Sequence, residues 1–426
     1  MKSCRLAIFR VDVTPPVGHP LCAGWYGTAR GIADPLYAMG IVLFGDEKPV
    51  VLCGIDWAEI SNRSHIAWRE QLATAAGTTA DRVAVQCCHP HCTPWPDEEA
   101  EALVCQQTGV THVMDPVWCA QALGRVSAAV KTASAHTVTH IGLGRAKVDQ
   151  VASNRRILGA DGKIKAVRYT KTRDPAIRAE PEGLIDPWLR TISFWNETQK
   201  LAALHYYAVH PTSYDTDAMV TPDFAGLARE RRIREDAGIP HIQFNGCAGD
   251  ITPGKYNDGA PENRPVLTDR VYQAMINSER DIERIPLHNF EWRTQFAHLP
   301  PREDMIESNL LAVLRDSTKR DGERSRAALM LAYLRRTETP IAFSSLMLNE
   351  CAGIVHLPGE AFIEYQLYAQ AQRPDLFVAV ASYGDCGPGY ICLEKSFAEG
   401  GYEPNDSFCA PQSEMVMKRT IAALLK

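Results

Sequence analysis

The chain has 426 residues, 45% hydrophobic and 23% charged, with a formal net charge of −6. That length supplies a large core and one to three domains, and the composition is that of an ordinary globular protein. The acidic balance and the lack of a basic run exclude a nucleic-acid groove, and no apolar segment approaches the roughly 20 residues that span a bilayer.

The opening MKSCRLAIFRVDVTPP carries Arg5 and Arg10 within a short apolar stretch, which is not a signal-peptide pattern, so a cytoplasmic location is expected. Three runs bounded by Gly, Pro or Asp then read as strands: AIFRVDV, AMGIVLFG and PVVLCGIDW. SHIAWREQLATAAG follows as an amphipathic helix, and RVAVQCC as the next strand. DPVWCAQALGRVSAAVKTA predicts a second helix, with Asp115 as its N-cap and Pro116 opening its first turn. THIGLGRAKV, RTISFWN, KLAALHYYAVH and IPHIQFNGC continue the strands, with FAGLARERRIREDAG and LTDRVYQAMINSERDIE as helices. The charged stretch from about Pro301 to Arg336 predicts a helical hairpin, and ECAGIVHLPG and LFVAVASYG are the last strands. Strands alternating with single helices imply an α/β fold with mixed β-sheets flanked by helices. No repeat period and no domain boundary is visible, so residues 1–426 are taken as one catalytic unit.

Residues with chemistry sit where predicted strands end. These are Asp56, His89 and His91, His210, Asp250 and Thr252, Glu360 and Tyr390. Ligands of α/β proteins collect at such carboxyl ends. Within QCCHPHCTPW, Pro90 favours an extended conformation for His89, and residues two apart on an extended segment share a face. Both imidazoles would then face one cleft. The 13 cysteines are odd in number and irregular in spacing, as expected of buried small hydrophobes in a reducing compartment. Cys87 and Cys88 are adjacent and have no second knuckle, which argues against a structural thiolate zinc site. A thiol nucleophile at Cys88 or Cys92 is the outside alternative. Two histidines with a carboxylate form a recurrent catalytic zinc set with a position open to water.

The opening DVTPP, the segments AGWYG and RGIADPLYAMGIVL, and then HPH, ASNRR, YAVHPTS, GCAGDITPG, LPGE and GYICLEKSFAEGGYE form a series of islands from about Val11 to Pro404. This series resembles the neutral/alkaline (non-lysosomal) ceramidases, zinc-dependent amidases that hydrolyse N-acyl sphingosine. The resemblance implies a ceramidase-like catalytic domain with Zn2+ held by His89, His210, Glu360 and Tyr390. It implies that His91 lies beside the metal or polarises the substrate, and that Arg155 and Tyr402 stabilise the developing oxyanion. Thr252 stands where the family has a catalytic-site serine, which keeps a hydroxyl but adds a methyl group. The chain also differs in stopping soon after the last island, without the immunoglobulin-like domain that family members carry. The implied reaction is attack of an activated water on a linear amide, with a small, lipid-like molecule as partner and no nucleic acid. Asp56 and Asp250 are candidates to fix a ligand imidazole. An esterase or other hydrolase on the same scaffold, or a metal-binding homologue without turnover, are the alternatives.

Overall fold

A computed structural model describes residues 4–214, 217–336 and 338–426. The longer strands form three sheets, each drawn from one consecutive stretch of chain. In the first, β1 (Arg5–Asp12), β2 (Tyr37–Phe44) and β3 (Val50–Ile55) make an antiparallel meander. Helix α1 (Asn62–Ala76) crosses over and β4 (Val83–Cys87) lies parallel beside β3. Helix α2 (Pro116–Thr132) packs on α1 and β1, and β5 (Ala135–Thr137) closes the far edge. The cap of α2 is as expected: Asp115 accepts from the backbone N–H of Val117 and of Trp118, each at 3.0 Å.

The second stretch repeats the plan. Strands β6 (His140–Lys147), β7 (Trp188–Asn196) and β8 (Gln199–Tyr207) form a meander. Helix α3 (Asp223–Glu235) crosses, β9 (His241–Asn245) lies parallel to β8, α4 (Asn263–Arg280) packs on α3, and β10 (Glu283–Pro286) takes the far edge. The third stretch opens with β11 (Phe290–Ala297) and inserts a packed pair of helices, α5 (Glu307–Arg315) and α6 (Asp321–Arg335). It continues with β12 (Ile341–Leu348), β13 (Ala352–His356), the crossover α7 (Ile363–Gln372) and β14 (Phe377–Ala381), parallel to β13. Helix α8 (Ser413–Leu424) ends the chain's regular structure. A meander, a helix and a parallel fourth strand thus occur three times, although no period is visible in the sequence. Meanders require only apolar strand residues and turn chemistry, which unrelated residues satisfy equally well.

The first sheet is apolar on both faces, so its strands read as continuous apolar runs. In β3, Val50 and Leu52 face one core while Val51, Cys53 and Ile55 face another. The first of these cores is shared by the three sheets and includes Ile41, Phe194, Leu204, Phe244, Leu346 and Ile354. The second lies under the helices and includes Trp57, Trp68 and Leu72. The three parallel strands meet at the centre. Gln86 donates through Nε2 to the carbonyls of Leu357, Ala381 and Ser382 at 3.1, 3.2 and 2.8 Å. Asn245 Nδ2 donates to the Cys88 carbonyl at 3.3 Å, and the Ser382 N–H donates to the Asn245 carbonyl at 2.9 Å. Gly54 permits this approach, since a Cβ there would lie 2.6 Å from the Gln243 carbonyl oxygen. The loops leaving β3, β4, β8, β9, β13 and β14 consequently converge. Among the described residues, no helix is long and apolar enough to cross a membrane.

Candidate metal centre

Three ring and carboxylate atoms meet where these loops converge. His89 Nε2 lies 3.2 Å from His210 Nε2 and 3.2 Å from Glu360 Oε2, and His210 Nε2 lies 3.1 Å from the same oxygen. His89 follows β4, His210 follows β8 and Glu360 follows β13, so each structural unit contributes one atom. Each imidazole is fixed through its other nitrogen: His89 Nδ1 bonds the Ala58 carbonyl at 2.8 Å and His210 Nδ1 bonds the Ala248 carbonyl at 2.7 Å. A carbonyl only accepts, so both Nδ1 atoms carry the hydrogen and both Nε2 atoms present lone pairs to one point. Among the described residues, Glu360 Oε2 is buried without a hydrogen-bond partner.

Two lone pairs and a carboxylate oxygen crowded together repel unless a cation lies between them. Tetrahedral bonds of about 2.0–2.1 Å place ligand atoms roughly 3.3 Å apart, close to the observed triangle. Burial, then the Arg155 charge, lowers the His210 imidazole to about 4, which keeps it in the neutral, ligating form. The residues present therefore fit a divalent ion.

Tyr390 and Arg155 flank the triangle. Glu360–Ala361 and Tyr390–Ile391 pair as a short parallel ladder, which sets Tyr390 beside Glu360. Arg155 Nη2 donates to the Gly249 carbonyl at 2.5 Å, lies 3.1 Å from His210 Nε2 and reaches the Tyr390 hydroxyl at 3.4 Å. Glu403 lies 3.6 Å from Arg155 and pairs with Arg156 at 2.7 Å. The Tyr402 hydroxyl is 2.9 Å from that of Tyr390. His91 stands a step further out, its ring 5.1 Å from that of His89 and its Nδ1 3.0 Å from the Tyr26 hydroxyl. Above these groups opens a cavity of about 240 Å³, walled by Trp25, Tyr26, Trp95, Tyr169, Tyr402 and Phe408.

No protein-family model matches the chain, and no curated protein matches it. Solved structures do. The neutral ceramidase of Pseudomonas aeruginosa aligns at a TM-score of 0.72 and 15% identity, covering 99% of this chain and 74% of that one. A ceramidase complexed with C2 aligns with the same score and identity, covering 99% and 75%. The fold is that of the neutral ceramidases. At 15% identity the likeness lies in the backbone, so the roles of individual residues in this ceramidase fold rest on the geometry above.

That geometry brings together His89, His91, His210, Glu360, Tyr390, Arg155 and Tyr402. It treats four other expectations differently. Thr252 Oγ1 donates to the Arg168 carbonyl at 3.0 Å and does not line the cavity, so its hydroxyl holds the scaffold. Asp56 is clamped by Arg229 at 2.6 and 2.8 Å, and Asp250 accepts from Asn154 and from the Ile363 N–H; main-chain carbonyls orient the imidazoles instead. His89 is not extended: its φ is +71°, a strained left-handed conformation, and its ring stacks at 4.4 Å on Tyr383, itself at φ +62°. The two histidines still share the cleft, through this kink rather than through strand periodicity. Burial pushes the Cys88 thiol well above its ordinary value, and Cys88 Sγ donates to the Gln243 carbonyl, so it is no thiolate nucleophile.

The sequence reading passes over Glu59. It lines the same cavity, 1% exposed, with one carboxylate oxygen 3.8 Å from His89 Nδ1. Its sequence signal is weak, a second acidic residue after Asp56 in the turn that follows β3.

Proposed function

We propose that the protein is a zinc-dependent hydrolase that cleaves an N-acyl amide bond. The observation that carries this reading is the triangle of His89, His210 and Glu360 at the floor of an aromatic pocket, with both imidazoles locked in the ligating tautomer. Zinc bound there supplies an activated water near neutral pH and a Lewis acid for the substrate carbonyl. His89, His210, Glu360 and Tyr390 would hold it.

The chain's own groups supply the rest. Arg155, anchored by the Gly249 carbonyl, and the Tyr402 hydroxyl face the position where oxyanion charge develops. Such donors contribute about 10²–10³-fold each. His91, kept neutral by burial and then by the neighbouring His89, takes the proton released by the water and passes it to the leaving amine. The aromatic walls exclude water from the reacting amide and favour an apolar acyl flank. A cavity of about 240 Å³ accommodates the amide and the first carbons on either side, so longer chains of a lipid-like substrate would run out past Trp25 and Tyr169.

The test is elemental analysis of the purified protein, joined to turnover of matched amides and esters of short and long acyl chains. Activity on amides, lost to a chelator and restored by zinc, is the expected result. Turnover of esters alone would replace the amidase with an esterase. Full metal occupancy with no turnover across the panel would leave a binding protein.

A further inference from the structure

Glu59 remains unexplained by that mechanism. Both of its carboxylate oxygens are buried and, apart from the neighbouring Glu360 carboxylate, neither has a hydrogen-bond partner among the described residues. A buried carboxylate ordinarily finds a cation or several donors, because leaving it without them forfeits its hydration with nothing in return. Here one oxygen of Glu59, one nitrogen of His89 and one oxygen of Glu360 all lie within 4.8 Å of one another. The adjacent residue, Ala58, already holds His89 by its carbonyl, so the backbone that orients one ligand also delivers this carboxylate.

We propose that Glu59 is an additional carboxylate ligand of the same metal ion, an inference that rests on the reading of this centre as a metal site. A divalent ion between Glu59 and Glu360 removes the repulsion of two buried carboxylates and satisfies the oxygens that the protein leaves bare. The centre then offers two imidazoles, two carboxylates and a phenol. Such an oxygen-rich set lessens the advantage of zinc over harder ions such as Mn2+, compared with a set holding a single carboxylate.

The experiment measures Zn2+ and Mn2+ affinity by chelator competition, and thermal unfolding with and without metal, for the wild type, Glu59→Gln and His89→Ala. Glu59→Gln keeps the shape of the side chain and removes its charge. The expected result has two parts of opposite sign. The metal-free variant unfolds at or above the wild-type temperature, because the repulsion is gone. Its metal affinity falls by about tenfold or more, the size of loss seen even for groups behind the ligands, and the metal-induced rise in Tm shrinks with it. A Glu59→Gln protein with wild-type affinity and the full metal-induced rise overturns the inference, as does one whose metal-free form is destabilised, since that marks a structural role. His89→Ala separates the two levels. If it also keeps full affinity, the metal reading itself has failed; if it alone loses the ion, only the role of Glu59 is refuted.

Discussion

Among the described residues, two largely buried clusters of histidine and carboxylate have donor atoms that look alike. One is His89, His210, Glu360 and Glu59; the other is His241, Asp236 and Glu279, with His205 behind it. In the second cluster every charge is already answered. Lys200 lies 2.5 Å from Asp236 and 2.7 Å from Glu279, and Arg232 reaches the same two residues at 3.2 and 2.7 Å. Both nitrogens of His241 are engaged, one by Asp236 at 2.8 Å and one by His205 at 2.7 Å. In the first cluster the nearby cation is Arg155, 3.1 Å from His210 Nε2; the Nδ1 hydrogens go to main-chain carbonyls, and both Nε2 lone pairs turn towards the same carboxylate oxygen. A candidate metal site is therefore marked less by its residue types than by donor atoms converging without hydrogens between them and by a fixed tautomer.

The largest effect that can break this contrast is at the ligands. His89→Ala or His210→Ala should remove the bound ion with the fold intact, and turnover should fall by more than the roughly 10²–10³-fold that one oxyanion donor is worth. Elemental analysis of either variant at full occupancy would end the assignment. Arg155→Lys should come next: metal retained, and kcat reduced by about 10²-fold because the planar fork no longer meets its partners. Steady-state kinetics on metal-replete enzyme decides this, and an unchanged kcat would remove Arg155 from the reacting groups.

At the second cluster, Asp236→Asn should cost about 1–3 kcal/mol in urea unfolding and leave metal content unchanged. Its hydrogen bond from His241 and the nearby Lys200 hold the Asp236 carboxyl below its usual range against the opposing effect of burial, and burial lowers the His205 and His241 imidazoles. Both effects have the same sign. The unfolded chain binds more protons, so stability from this cluster is full above the ordinary histidine range. It is lost first as pH falls through about 6.5, then further as pH falls below the ordinary aspartate range. A His205→Gln variant should flatten the upper part of that slope, as followed by Tm from pH 7 to 5. The smallest effect concerns the pocket rim: Trp25→Ala should raise KM about threefold to tenfold for long-chain amides and leave kcat nearly unchanged, the mark of uniform binding. Equal changes for short and long chains would place the chain path elsewhere.

Much of this could be read from the chain. Apolar runs bounded by turn residues marked the long strands of the first two meanders, β13 and β14, but not β11 or β12; Asp115 and Pro116 marked a helix start, and the polar residues at strand ends marked the centre. The threefold plan was hidden because the segments that carry the centre, H-P-H, V-H-P and P-G-E, differ in residues and follow different strands, the fourth in the first unit and the third in the other two. Glu59 was hidden because nothing local distinguishes an unpaired acid from a turn acid. The contacts of Thr252, Asp56 and Asp250 were hidden for a related reason: their partners, Arg168, Arg229 and Asn154, are distant in sequence.

Alternating local preference, caps and turn chemistry act over a few residues, so the sequence by itself determined most of the elements, the α/β class and most of the residues able to do chemistry. Tertiary structure alone decided which of them meet. The convergence of three parallel strands, which a glycine at position 54 permits, brings His89, His210 and Glu360 within 3.2 Å of one another, whereas packing against Lys200 and Arg232 neutralises a cluster of similar composition. Charge and lone-pair direction depend on contacts across hundreds of residues, and no local pattern encodes them.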